Sequence, residues 1–163
     1  MMIQAFIRPI LQKDSAQMTT LIRSVFEEMD IPKRGTAYED EALNNLYLVY
    51  QKPKAIYYVA ELQGTLVGGA GISALESGKN NICELQKMYV ANSSRGAGIG
   101  QDLIRHCLTS AKQLGYSGCY LETMPNMKAA QHLYQKNGFG YKNAPLGRTG
   151  HTACQVYMYK DFS

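Results

Sequence analysis

The sequence predicts an α/β (α+β) fold: a mixed, mostly antiparallel sheet of about seven strands, with a central parallel strand–helix–strand unit and helices on both faces. Three observations carry this. Short β-rich runs recur along the chain, two of which, at 55–62 and 66–74, are separated by Gln63-Gly64-Thr65 and read as a hairpin. A run at 82–90 leads through a glycine loop into a helix and then another strand at 119–123, an order that makes the strands at 82 and 119 parallel neighbours. Two further segments repeat apolar residues at helical spacing, so each has one face to bury against a sheet.

Taken in order, residues 3–8 read as a first strand ended by Pro9. Asp14 or Ser15 can cap a helix whose stripe is Met18, Leu21, Ile22, Val25, Phe26 and Met29, with Pro32 as its stop. From 31 to 41 the chain is polar and turn-rich, and a short helix follows around Leu43, Leu46 and Tyr47. After the hairpin and the strand at 82–90, a helix spans 98–114, its stripe running from Ile99 through Leu103, Ile104, Cys107, Leu108 and Ala111 to Leu114, and Gly115 closes it. A helix beginning at Asn126 and ending at Asn137-Gly138 comes next, then strands at 139–141 and 153–160 around a loop holding Gly147 and Gly150.

With 163 residues, 45% of them hydrophobic, the chain can bury one sizeable core, and a single domain over 1–163 is expected. The formal charge of +4, from 17 basic and 13 acidic residues, is modest and no long run of like charge occurs, so neither nucleic acid nor a membrane surface is indicated as partner. No stretch of ~18 consecutive apolar residues suggests a membrane span. Cys83, Cys107, Cys119 and Cys154 are widely spaced without a C-x-x-C pair, which points to reduced thiols in the cytoplasm rather than disulfides or a metal site.

The most informative segment is Arg95-Gly96-Ala97-Gly98-Ile99-Gly100, between strand and helix. Glycines let successive backbone N–H groups converge, the helix start adds unpaired N–H groups and a positive dipole end, and Arg95 adds a charge, so the segment predicts a cradle for a phosphate-bearing ligand. A nucleoside-triphosphate loop requires Lys-Ser/Thr after its last glycine, whereas Gln101-Asp102 follow Gly100. A dinucleotide loop requires G-x-G-x-x-G directly after a strand, and this spacing is one residue too short, although Glu122 falls where a ribose-binding acid would.

Arg95-x-x-Gly98-x-Gly100, preceded by Leu85-Gln86-Lys87-Met88-Tyr89-Val90, resembles the acetyl-coenzyme A signature of the GCN5-related N-acetyltransferases (GNAT). Asn126, Tyr134 and Gly138-Phe139 follow in the order and spacing of that family's second motif, and the segments at 121–124 and 149–154 look like a small bacterial subgroup. The resemblance implies an acetyl-coenzyme A dependent N-acetyltransferase acting on a small-molecule amine by direct transfer in a ternary complex; a non-catalytic acyl-coenzyme A sensing module on the same fold is the alternative. It implies that the parallel strands splay and that the pantetheine arm fills the gap. The phosphates would be held by Arg95, Gly96, Ala97, Gly98, Ile99, Gly100 and Gln101, and the pantetheine by backbone at Met88 and Val90 and by Asn126. Tyr134 would lie near the sulfur as general acid. Asn126 also reads as a helix N-cap, and Tyr134 as a packed aromatic.

Glu84 is the candidate base, a carboxylate on the strand entering the loop, alternating onto the face of Gln86 and Met88 unless a bulge intervenes. Glu122 is a second acid that could bind the acceptor's ammonium or act as base. The acceptor-binding set is completed by Phe26, Arg34, Tyr38 and His151, with Thr36 and Ala37 in the same covering region. Arg34 would favour an acceptor carboxylate, whereas Glu27, Glu28, Asp30, Glu39, Asp40 and Glu41 would favour a polycation. A Cys154 nucleophile paired with His151 is a further reading, with a covalent step. No metal is expected. An exposed strand or the C-terminal hairpin could mediate a homodimer.

Overall fold

A computed structural model of the chain describes residues 4–76 and 81–163. Its strands are β1 (Phe6–Pro9), β2 (Ile56–Leu62), β3 (Thr65–Ala74), β4 (Ile82–Val90), β5 (Gly118–Thr123), β6 (Gly140–Lys142) and β7 (Val156–Asp161). They form one sheet in the order β1-β2-β3-β4-β5-β7-β6. β4 and β5 pair in parallel, and the other neighbours are antiparallel. The helices are α1 (Ser15–Glu28), α2 (Leu46–Val49), α3 (Ile99–Gln113) and α4 (Lys128–Lys136). Among the described residues no helix is long and apolar enough to cross a membrane.

The two-residue period of β2 divides the core. Tyr57 and Val59 join Met18, Ile22 and Phe26 of α1 on one face, while Ile56, Tyr58 and Ala60 join Leu103, Ile104, Cys107 and Ala111 of α3 on the other. Each fully buried Leu or Ile in these stripes contributes roughly 1.5–3 kcal/mol of burial free energy. The hairpin turns at Gln63 and Gly64, both at positive φ (51° and 81°), the mirror-image turn that suits the twist of two strands.

Three helices end in the same way. Asp30, Gly115 and Gly138 each take positive φ, and the residue after each donates back to the last turn: Ile31 to Phe26, Tyr116 to Ala111, and Phe139 to Tyr134. The glycines at 115 and 138 therefore stop their helices as the sequence indicates. Asp30 ends α1 before Pro32 is reached, which corrects the assignment of the stop to that proline.

Two other boundaries differ. α4 starts at Lys128 with Met127 at its N-cap, so Asn126 is not the cap but an exposed residue of the preceding turn. β7 begins at Val156, because the Cys154 N–H turns back to the His151 carbonyl. The predicted first strand begins later, at Phe6, and its residue Ile3 lies outside the described residues.

Asp14 precedes α1 but does not cap it. Its carboxylate accepts from Arg8 Nη1 at 2.7 Å and Nη2 at 3.1 Å and from the Leu11 N–H at 2.8 Å, with the side chain only 4% exposed. Burial alone would raise the Asp14 carboxyl, but the Arg8 and Leu11 donors outweigh it and hold it below the usual 3.8. Asp14→Asn should cost about 1–3 kcal/mol near neutrality by leaving Arg8 with Glu61, at 3.2 Å, as its remaining carboxylate partner. A depressed folded value means that this stabilisation is present above the unfolded carboxyl range and is lost as pH falls through the folded value. Urea midpoints of the two proteins, measured against pH, should therefore converge in acid. A gap that does not narrow there would exclude the ion pair as its source.

Candidate active site

The β4–β5 ladder pairs Ile82 with Gly118, Cys83 with Cys119 and Glu84 with Tyr120, and goes no further. The cause is in β4 itself. Gly69 of β3 faces Tyr89, yet Gly71 faces Gln86, so β4 carries an extra residue, and Lys87 there has a φ of +49°. Such a bulge bends its strand and interrupts the alternation of side chains. Cys83 and Leu85 face the α3 core before it, and Met88 and Val90 face that core after it. Glu84 and Gln86 therefore lie on the α1 side, opposite Met88, which corrects the shared face expected from simple alternation.

Beyond β4, Gly96 and Gly98 sit at φ of +83° and +81°, Gly98 being the N-cap of α3. A Cβ added at either would meet no atom within 4 Å, so these glycines serve backbone conformation and not packing. The first N–H groups of α3, on Ile99, Gly100 and Gln101, precede the first helical bond, which runs from Asp102 to the Gly98 carbonyl. Gly100 touches the strand gap: a Cβ there would lie 3.0 Å from Leu133 Cδ2 and 3.2 Å from Met88 Cε. The Gln101 and Asn137 amides bond reciprocally at 2.8 and 2.9 Å, tying the start of α3 to the end of α4. A helix N-terminus, two left-handed glycines and open space suit the phosphates of a coenzyme A compound, and the strand gap suits its arm.

Arg95 has another engagement. Its guanidinium bonds Glu28 at 2.8 and 3.1 Å and the Val90 carbonyl at 3.0 Å. The free charge expected at the cradle is thus largely balanced by Glu28 of α1.

The cleft between the splayed strands is lined by Glu84, Gln86, Lys87, Met88, Glu122, Tyr134, His151 and Cys154, with Phe26, Ile31, Thr36, Ala37, Leu121, Met124 and Met127 as further walls. Glu84 is 5% exposed. Its Oε1 accepts from Gln86 Nε2 at 2.7 Å, and Tyr50 donates to Gln86 Oε1 at 2.6 Å, which fixes the orientation of the amide. Burial pushes the Glu84 carboxyl up from its ordinary 4.5 and the charge of Glu122 adds to this, while Gln86, His151 and Lys87 oppose it. Glu122 accepts from the Tyr120 hydroxyl at 2.6 Å and from the Thr149 hydroxyl.

His151 Nε2 lies 2.8 Å from Asp40 Oδ2, to which Lys87 Nζ also donates at 3.2 Å. Burial would lower the His151 imidazole, but the Asp40 hydrogen bond and the charges of Asp40 and Glu84 raise it above 6.5. Asp40 is correspondingly depressed, the desolvation that would raise it being outweighed by His151 and Lys87. Donor atoms of Glu84, Glu122 and His151 all lie within 4.8 Å of one another. These are also donor types that a divalent cation takes, a feature the sequence reading did not anticipate.

Tyr134 is 8% exposed, stacks edge-on against Phe139, and among the described residues its hydroxyl has no hydrogen-bond partner. Burial raises that hydroxyl, with Cys154 adding, so it keeps its proton at working pH. Cys154 is pushed up to about 12 by burial and by Glu122, Glu84 and Asp40, and His151 is turned to Asp40. Such a thiol is a poor nucleophile, which removes the ground for a Cys154–His151 covalent pair.

Of the acceptor-region residues, Phe26, Glu122 and His151 reach the cleft, with Thr36 and Ala37. Arg34 and Tyr38 do not. Arg34 is exposed, and the Tyr38 ring packs on Phe26 with Arg23 and Lys33 over its face. What was missed is the pairing: Asp40 with His151 and Lys87, Gln86 with Tyr50, and Thr149 with Glu122. Asp40 was grouped with the acidic residues that would favour a polycation, and its partner His151 is 111 positions away, so no local pattern could join them.

Comparisons with known proteins identify the family and the fold. The family model described as "Acetyltransferase (GNAT) family" matches residues 17–139. An uncharacterised N-acetyltransferase of Escherichia coli K12, YjgM, is 37% identical over 155 residues, covering 94% of this chain and 93% of its own. In fold, the chain is similar to a GNAT acetyltransferase of Staphylococcus aureus Mu50, with a TM-score of 0.87, 21% identity and coverage of 98% and 99% of the two chains. It is also similar to a GNAT acetyltransferase of Brucella melitensis solved in complex with acetyl-CoA, with a TM-score of 0.67, 21% identity and coverage of 98% and 88%.

Proposed function

The chain belongs to the acetyltransferase (GNAT) family and is an acyltransferase, and on that premise we propose that it moves an acetyl group from acetyl-coenzyme A to the primary amine of a small molecule, by direct transfer with both held at once. The observation that carries this reading is the meeting, in one cleft at the mouth of the β4–β5 split, of a buried carboxylate, Glu84, and a phenol, Tyr134, whose hydroxyl has no partner among the described residues. When bound, acetyl-coenzyme A supplies the acetyl group as a thioester, activated toward a nitrogen nucleophile.

In this reading the N–H groups of Gly98, Ile99, Gly100 and Gln101 hold the phosphates, with Gly96 and Ala97 shaping their approach and Asn126 at the rim. Backbone groups of Met88 and Val90, which lack a β5 partner, hold the arm. Glu84 accepts the proton that the amine nitrogen sheds as it bonds to the acetyl carbon, directly or through a water. Tyr134 Oη–H gives its proton to, or orients, the sulfur as the C–S bond breaks. Glu122 holds the incoming ammonium. The activity belongs in a cytoplasm that keeps the thiols of Cys83, Cys107, Cys119 and Cys154 reduced.

Calorimetric titration with acetyl-coenzyme A, with NAD and ATP as competitors, tests the cradle, and Tyr134→Phe tests the chemistry. The variant should lower kcat by roughly 10–100-fold while the affinity for acetyl-coenzyme A changes little. Unchanged turnover would remove Tyr134 from the proton transfer, and preferential binding of NAD would remove the whole reading.

A further inference from the structure

Resting on the acetyltransferase reading, we infer that the acceptor is a small primary amine with an apolar body and no carboxylate on the carbon that bears the nitrogen. The cleft carries more acids than bases. Glu84 and Glu122 both face it, with donor atoms inside the 4.8 Å cluster that includes His151. Tyr120 and Thr149 hold the Glu122 carboxylate in place through both of its oxygens.

The two basic groups nearby share a single carboxylate, Asp40, so Asp40, Glu84 and Glu122 set three acids against two bases and the cleft keeps a net negative charge. Lys87 Nζ is 3.2 Å from Asp40, its side chain 6% exposed, and His151 is bound to the same carboxylate. Arg34, which the sequence suggested as a carboxylate anchor, is exposed and outside the lining. Among the described residues, then, no cation that lines the cleft lacks a carboxylate partner. An ammonium entering here meets two acids. A carboxylate one carbon away would be desolvated beside those acids as a fourth negative charge against two bases that already face three.

The remaining walls set the body of the acceptor. Phe26, Ile31, Leu121, Met124 and Met127 are apolar, and two of them are methionines, which adapt to irregular shapes. The segments that supply Thr36 and Ala37 on one side and His151 and Cys154 on the other are joined by the Ala153 N–H to the Gly35 carbonyl at 3.0 Å. They press together closely enough that a Cβ on Gly35 would lie 2.6 Å from Thr152 Oγ1. A slim molecule fits such a closed flank better than a folded polypeptide surface does.

The test uses matched pairs that differ only by the carboxylate: phenethylamine with phenylalanine, tyramine with tyrosine, and butylamine with norvaline. Transfer is followed by thiol release from acetyl-coenzyme A, and Nα-acetyl-lysine methylamide serves as the protein-side-chain arm. Wild-type protein should favour each amine over its amino acid by about a hundredfold or more in kcat/KM. Glu122→Lys, which supplies a cation, should bring that ratio toward one or reverse it, and Glu122→Gln should move it the same way by less.

Equal or better use of the amino acids by wild type would overturn the inference, as would an unchanged ratio in both Glu122 variants that still bind acetyl-coenzyme A. Faster reaction of the lysine derivative than of every free amine would overturn the small-molecule assignment. Binding of acetyl-coenzyme A without transfer to any amine of the set would overturn the inference and leave the donor reading standing. Failure to bind acetyl-coenzyme A at all would overturn both.

Discussion

Glu84→Gln should lower kcat by about 10²–10⁴ with little change in acetyl-coenzyme A affinity, and the deficit should grow as pH falls. The substitution keeps the shape and the bond to Gln86 but removes the proposed proton acceptor. Wild-type enzyme can take an acceptor as its ammonium and remove the proton in place. The variant must wait for free amine, whose fraction falls about tenfold per pH unit below the amine's own pKa.

The growth of the deficit has a lower limit. Burial, with Glu122 adding, raises the Glu84 carboxyl above its ordinary 4.5, so with Glu84 as the base wild-type activity should be full above that raised value and be lost as pH falls through it. The acid limb of the wild-type profile should therefore lie above the ordinary carboxylate range and be absent from the variant. Parallel profiles would show that Glu84 is not the base. If Glu122→Gln alone then removed the limb, the role would pass to that carboxylate.

Gly98→Val should weaken acetyl-coenzyme A binding by at least about a hundredfold, on the scale expected for losing two or so hydrogen bonds to a charged group. Gly98 holds φ at +81° at the N-cap of α3, a conformation that costs an ordinary residue roughly 1–2 kcal/mol and a β-branched one more. No atom lies within 4 Å of the added Cβ, so the fold is not obstructed. The buried stripe of Leu103, Ile104, Cys107 and Ala111 keeps α3 in place. The backbone then relaxes locally and turns the N–H groups at the helix start away from the phosphates. A melting temperature within several degrees of wild type, with the calorimetric signal lost, is the expected pair of results. Retained affinity in the folded variant would locate the phosphates elsewhere.

The fold was legible because its signals are local. Alternation in β2, the stripe of α3, the Gln63-Gly64 turn and the glycines that close α3 and α4 each act within a few residues, and each appears where the sequence indicates, except that Leu114, the last of the α3 stripe, caps the helix and is exposed. The misses are equally instructive. Asp30 takes left-handed geometry that glycine usually supplies, so the end of α1 was read at Pro32 instead. The N-cap of α4 fell at Met127 because the turn after β5 continues past Asn126, a choice that capping preference does not control.

By itself the sequence determined the order of elements, the glycine loop and the family signature, because these depend on spacing along one chain. Tertiary structure alone decided how charge is distributed in the cleft. The bulge at Lys87 turned Glu84 away from Met88, Glu28 took up Arg95, and Asp40 joined His151 and Lys87 across 111 and 47 positions. Each of these depends on which side chains a sheet brings together from distant segments. An electrostatic field falls off through space rather than along the chain, so spacing along one sequence could not reveal it.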